Sequence, residues 1–208
     1  MTDIVKHPET YFSELVPERD TLLKRLEQEA EKERIPIVGP VVGQLLFVLA
    51  RATAAANILE LGTATGYSAV YLGRACAPAG GRVMSLENDA QMAGRARKNL
   101  AEAGLADTVS VMEADAVNNL QELGGPFALV LLDIEKKDYE PALAGLTETV
   151  RPGGLLIADN TGFRDANGFN RAIFAHPAWQ SVQLFSFLPM HSASHDGLCF
   201  AVRMPDAD

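Results

Sequence analysis

The sequence predicts an α/β chain: a doubly wound, mostly parallel sheet of seven strands, closed by an antiparallel C-terminal hairpin strand. Three observations predict it. From Asn57 onward, short apolar runs alternate with helix-like stretches, the pattern of a parallel sheet with helices on both faces. The runs are apolar almost throughout, as strands buried on both sides must be. The last two runs have no helix between them, and adjacent strands joined that way are antiparallel.

The elements follow in order. Residues 1–36 form an N-terminal helical segment, and residues 37–208 a single domain. A helix is expected from Pro17 to Arg34, with Asp20 as its cap and Pro36 as its stop. Leu22, Leu23 and Leu26 give it a narrow apolar stripe on an otherwise charged surface. A second, more buried helix runs from about Pro40 to Thr53 and carries Val41, Leu45, Leu46, Val48 and Leu49. Strands are then expected at 57–62, 82–87, 109–115, 127–133 and 154–160, with helices near 67–77, 89–103, 138–150 and 165–175. The hairpin strands are 181–189 and 197–204.

Composition narrows the function. Lys and Arg number 18 against 27 Asp and Glu, a formal charge of −9. Nucleic-acid backbones and anionic membranes want a basic face, so neither is expected as a partner. Cys76 and Cys199 have no metal-ligand spacing and read as reduced thiols. MTDIVKHPET lacks an apolar signal core, and the apolar stretch Val41 to Ala50 is too short to span a bilayer. A cytoplasmic location is expected.

Functional residues of open parallel sheets gather at the carboxyl ends of the strands. The first strand ends Glu60-Leu61-Gly62-Thr63-Ala64-Thr65-Gly66-Tyr67-Ser68, a tight turn that lets a ligand approach backbone at a helix N-terminus. Its G-x-x-x-G spacing lacks the middle glycine of the dinucleotide fingerprint, which disfavours a nicotinamide-dependent oxidoreductase. Glu60 would repel a phosphate and welcome a cationic group. Glu87, at the end of the second strand, can accept from ribose hydroxyls. Asp115-Ala116 ends the third, where an adenine would lie. Each acid alone reads as a solvated loop carboxylate. Three in succession beside the glycine turn suit a nucleoside with a positive tail, and S-adenosylmethionine is the candidate. The fourth and fifth strands end in Asp133 and in Asp159-Asn160. These hard oxygens suit Mg²⁺, with Ca²⁺ or Mn²⁺ as alternatives, although Asp159-Asn160 alone could simply cap a turn.

The motifs VGQLL (42–46), ILELGTATGYSAV (58–70), LLDIEKKDY (131–139) and IADNTGF (157–163) together resemble the cation-dependent O-methyltransferases, the group of catechol and caffeoyl-coenzyme A O-methyltransferases. The resemblance runs from about Val38 to Met204. It implies a Rossmann-like methyltransferase fold and, commonly in this family, a homodimer. It implies metal ligation by Asp133, Asp159 and Asn160. It implies S-adenosylmethionine binding at Val38, Glu60, Gly62, Thr63, Ser68, Glu87 and Ala116, alongside Gly66, Tyr67 and Asp115 of the same strand ends. Asp133 would lie near both metal and methyl donor, and Lys136 would be the general base. Without the motif, Lys136 could be an exposed loop lysine beside Lys137.

A phenol is a poor nucleophile while protonated, so a cation that favours the phenolate and a lysine that takes the proton make chemical sense together. The expected acceptor is a small aromatic with vicinal hydroxyls. Transfer to nitrogen or to a macromolecule is the alternative. Departures from the family pattern sit at Glu135, at Phe163 and in a longer loop from Met190 to Asp196, which holds His191 and His195. These positions could reshape the acceptor pocket, and the two histidines read either as exposed or as reaching the site.

Overall fold

The structure, a computed structural model, describes residues 4–205. Residues 1–3 of the expected N-terminal segment and 206–208 of the expected domain lie outside it. Seven strands form one sheet in the order β3-β2-β1-β4-β5-β7-β6. They are β1 (Asn57–Leu61), β2 (Arg82–Glu87), β3 (Val109–Glu113), β4 (Phe127–Leu132), β5 (Val150–Ala158), β6 (Trp179–Phe187) and β7 (His195–Arg203). β1 to β5 are parallel, while β7 runs antiparallel to both β5 and β6. The expected fold class therefore holds. The order reverses between β1 and β4, and in such sheets the crevice at that reversal is the ligand site.

Among the described residues eight α-helices accompany the sheet: α1 (Pro8–Glu14), α2 (Thr21–Glu33), α3 (Gly39–Ala52), α4 (Tyr67–Cys76), α5 (Ala90–Glu102), α6 (Ala116–Asn119), α7 (Tyr139–Thr149) and α8 (Asn167–Ala175). Leu26, Leu46, Leu72 and Leu100 of α2 to α5 pack in one core cluster, and Leu146, Phe169 and Ile173 of α7 and α8 in another. The leucine stripe of α2 thus joins the main core instead of lying on its rim. β4 is buried along its whole length, which is why its sequence is uninterrupted in apolar residues.

Several boundaries differ from expectation. α2 starts at Thr21, four residues after Pro17, because the Asp20 carboxylate accepts from Leu23 N at 3.0 Å and so marks the cap. Arg34 then closes it in the left-handed region, at φ 58°. α1 and α6 are not signalled by periodicity: α1 has no buried residue, and α6 is four residues long. The third strand stops at Glu113, and Asp115 serves as the cap of α6, accepting from Asn118 N at 2.8 Å. β5 starts at Val150 and ends at Ala158, and the hairpin strands begin two residues earlier than their apolar runs suggest. Strand pairing extends through the polar Gln180 and Asp196, which hydropathy alone does not mark as strand.

Candidate active site

The glycine turn is held from three sides. Gly62 has φ +93°, and a Cβ there would stand 2.0 Å from the Asp133 carbonyl oxygen. The turn and the end of β4 can meet only because residue 62 has no side chain. Gly66, at φ +88°, occupies the cap position of α4, with its N–H on Thr63 O at 2.8 Å. From β2, Glu87 accepts through Oε2 from Thr63 N at 3.3 Å and Ala64 N at 2.7 Å, and through Oε1 from Asp89 N at 2.9 Å. Glu87 therefore shapes the turn, as well as lining the cleft beside it.

Glu60 lies deeper than its position suggests. It is fully buried, with Oε2 bonded to the Ser85 hydroxyl and Oε1 without a partner. Burial pushes its carboxyl up to about 7, opposed by the nearby hydroxyls of Ser68 and Ser85. Tyr67 lines the cleft but directs its hydroxyl away, donating to Glu27 of α2 at 2.6 Å. Arg19 clamps the same carboxylate at 2.9 and 3.1 Å.

The opposite wall comes from β4 and β5. Asp133 N donates to Leu61 O at 2.8 Å and Asp159 N to Leu132 O at 3.1 Å, so each acid is fixed just beyond its strand by its neighbour strand. Lys136 Nζ donates to Asp133 Oδ1 and to Ile134 O, each at 3.1 Å. Depth in the cleft, and then the charge of Asp159, raise the Asp133 carboxyl above its usual range, with Lys136 and His191 opposing. Asn160 adopts φ 50°, and its amide nitrogen donates to Ser192 O at 2.9 Å and Asp196 Oδ2 at 2.7 Å. Both of its N–H groups are thereby spent, which leaves its carbonyl oxygen for another partner.

The segment between β6 and β7 completes this wall. His191 Nε2 lies 3.0 and 2.9 Å from the two Asp159 carboxylate oxygens, and its Nδ1 lies 2.8 Å from Ala193 O. Both acceptors need a proton, so the ring donates from both nitrogens. Burial lowers the imidazole pKa, but the Asp159 hydrogen bond and charge, the Ala193 carbonyl and Asp196 outweigh it and the net direction is upward. His195 instead reaches Glu9 of α1 at 3.0 Å, half exposed and away from the cleft.

One cleft at the carboxyl ends of the strands collects Val38, Gly62, Thr63, Tyr67, Ser68, Glu87, Asp115, Ala116, Asp133, Lys136, Asp159 and Asn160. Glu60 and Gly66 lie behind its wall and not on it. Three further residues hold the site: His191, Asp196, which accepts from Gly162 N at 3.1 Å, and Tyr139, whose hydroxyl donates to Asp159 O at 3.0 Å. The sequence leaves His191 open between two readings. It has no signal for the other two beyond an acid before Gly197 and a tyrosine at a helix start, because their roles depend on contacts 20 or more residues away.

Two carboxylates and one amide oxygen are a donor set that suits a hard divalent ion, and a cation would relieve the repulsion that raises Asp133. No three His, Cys, Asp or Glu side chains among the described residues form a metal-holding group, so the remaining ligands would have to be water or acceptor.

A family model described as O-methyltransferase matches residues 13–168. The chain belongs to the O-methyltransferase family. This bears out the resemblance and makes the chain a methyltransferase. Among its relatives, the catechol O-methyltransferase of Niastella koreensis is 37% identical over 182 residues, covering 85% of this chain and 81% of that protein. The O-methyltransferase from Bacillus cereus, solved in complex with SAH, superposes with a TM-score of 0.84 at 28% identity, over 94% of this chain and 96% of that one. The O-methyltransferase TomG from Streptomyces achromogenes, involved in tomaymycin synthesis and solved with SAM, gives 0.84 at 27% identity, over 95% and 96%.

Proposed function

We propose that the chain transfers the methyl group of S-adenosylmethionine to one hydroxyl of a small vicinal dihydroxy aromatic, with a divalent cation, Mg²⁺ first, held by Asp133, Asp159 and Asn160. The observation that carries this reading is the meeting of two walls in one cleft. The glycine turn with Glu87 lies on one side and the acid–amide set with Lys136 on the other, touching where Gly62 abuts Asp133. SAM and SAH complexes among relatives of the same fold, and a relative named for catechol, support the choice of donor and acceptor.

The roles follow from position. Gly62, Thr63, Ser68 and Ala116 would bind the donor, and Glu87 and Asp115 would offer carboxylates to its hydroxyls and base. A bound cation supplies Lewis acidity that favours the ionised form of an acceptor hydroxyl. Lys136 Nζ, in its neutral form, takes the proton that the hydroxyl releases. Asp133 and the Ile134 carbonyl hold that amine at the cleft. Placing both reactants in one cleft makes the transfer effectively unimolecular. We also propose that the chain acts without a nucleic-acid or membrane partner, in the cytoplasm and as a homodimer. The charge balance supports the first part, and no helix among the described residues is long and apolar enough to cross a membrane.

Labelled S-adenosylmethionine with catechol acceptors, with and without Mg²⁺, tests the reading. Methyl transfer that EDTA abolishes is expected. Transfer undiminished by EDTA removes the cation from the mechanism, and failure to bind the donor overturns the whole proposal.

A further inference from the structure

We propose that His191 determines which cation the site accepts, by restricting Asp159 to single-oxygen ligation. The inference rests on the cation site proposed above. His191 Nε2 stands 3.0 Å from Asp159 Oδ1 and 2.9 Å from Oδ2, nearly equidistant, and so lies close to the bisector of the carboxylate. That is the place a cation must take to be chelated by both oxygens at once. The imidazole is not free to swing aside. Its other nitrogen is tied to Ala193 O at 2.8 Å, and the ring and carboxylate side chains are 1% and 2% exposed. The next residue fixes the same segment to the site, because Ser192 O accepts from Asn160 Nδ2 at 2.9 Å. Asp159 can therefore offer a cation only an outer lone pair of one oxygen.

The consequence differs between ions. Mg²⁺ and Mn²⁺ want six ligands in a compact octahedron and take carboxylates through one oxygen. Ca²⁺ takes six to eight and is favoured by bidentate carboxylates. A blocked bisector costs Ca²⁺ a ligand and costs Mg²⁺ none. His191 is thus a positioning residue, acting through Asp159, and the longer segment between β6 and β7 is the device that delivers it.

Calorimetric titration of the full chain with Mg²⁺ and with Ca²⁺, for wild type and His191→Ala, tests this. Loss of a group that orients a ligand weakens Mg²⁺ binding about tenfold or more. If His191 also blocks chelation, Ca²⁺ binding falls much less or rises, and the Ca²⁺-to-Mg²⁺ affinity ratio climbs about tenfold. A structural role alone would weaken both ions alike and leave the ratio unmoved, which overturns the inference. His191→Gln, whose amide reaches one oxygen only, should move the ratio the same way by less. Should both variants fail to fold, infrared spectra of Ca²⁺-loaded wild type decide, and a chelated-carboxylate band that vanishes in Asp159→Asn overturns the inference. Wild type that binds Mg²⁺ with an unmoved ratio defeats only the role of His191. Wild type that binds neither ion defeats the cation site itself.

Discussion

The Tyr67 hydroxyl donates to the Glu27 carboxylate at 2.6 Å, across 40 residues, and both groups are buried. Tyr67 opens the helix that follows the glycine turn, and Glu27 sits mid-way along α2. The contact therefore ties the N-terminal segment to the wall of the cleft. Tyr67→Phe leaves a buried carboxylate with Arg19 as its remaining partner. A loss of about 1–3 kcal/mol is expected, measurable by urea unfolding. An unchanged midpoint would show that Arg19 alone satisfies Glu27.

Lys136 is the proposed proton acceptor, and its role separates chemistry from binding. Lys136→Met should lower kcat by about 10²- to 10⁴-fold while leaving the dissociation constant for S-adenosylmethionine within about twofold of wild type. Its amine is held by Asp133 Oδ1 and Ile134 O, contacts that the variant removes. Stopped-flow single turnovers would show whether the methyl-transfer step itself slows. A variant with wild-type kcat would assign the base elsewhere.

Glu60 predicts a pH effect on stability. Burial raises its carboxyl from 4.5 to about 7 in the folded chain. Between those values the folded state holds a proton that the unfolded state has released, so stability falls as pH rises through that window and levels off above it. The difference corresponds to about 3 kcal/mol. Glu60→Gln should remove that component, so the stability of the variant relative to wild type should rise from pH 5 to pH 8. Denaturant midpoints at the two pH values provide the check, and a gap that does not change with pH would mean that Glu60 stays charged when buried.

Gly62 lies just beyond β1, against the residue that follows β4. Gly62→Ala adds a Cβ 2.0 Å from the Asp133 carbonyl oxygen, at φ +93°. Backbone on both sides must move, which should cost about 3 kcal/mol or more and displace Asp133. Thermal unfolding with and without S-adenosylmethionine should show a lower Tm and a smaller ligand-induced rise.

The reach of the sequence can be judged residue by residue. Leu129 to Leu132 form an uninterrupted apolar run, as a strand covered on both faces does; the alternation of such runs with helices made the parallel sheet legible. Gly62, Gly66, Asp133, Asp159 and Asn160 were legible because strand ends are marked by a change from apolar to polar residues, and function in this architecture collects there. The cap of α2 at Asp20 was legible because capping is a local interaction spanning three residues. By itself, then, the sequence determined the fold class, the position of the cleft and the residues just beyond the strand ends, since each depends on chemistry within a few residues of itself. Tertiary structure alone decided the rest. It turned Tyr67 toward Glu27, sank Glu60 behind the wall, and brought His191 onto Asp159 while sending His195 to Glu9. These outcomes rest on contacts between segments 25 to 186 residues apart, where no local pattern states which side chain meets which.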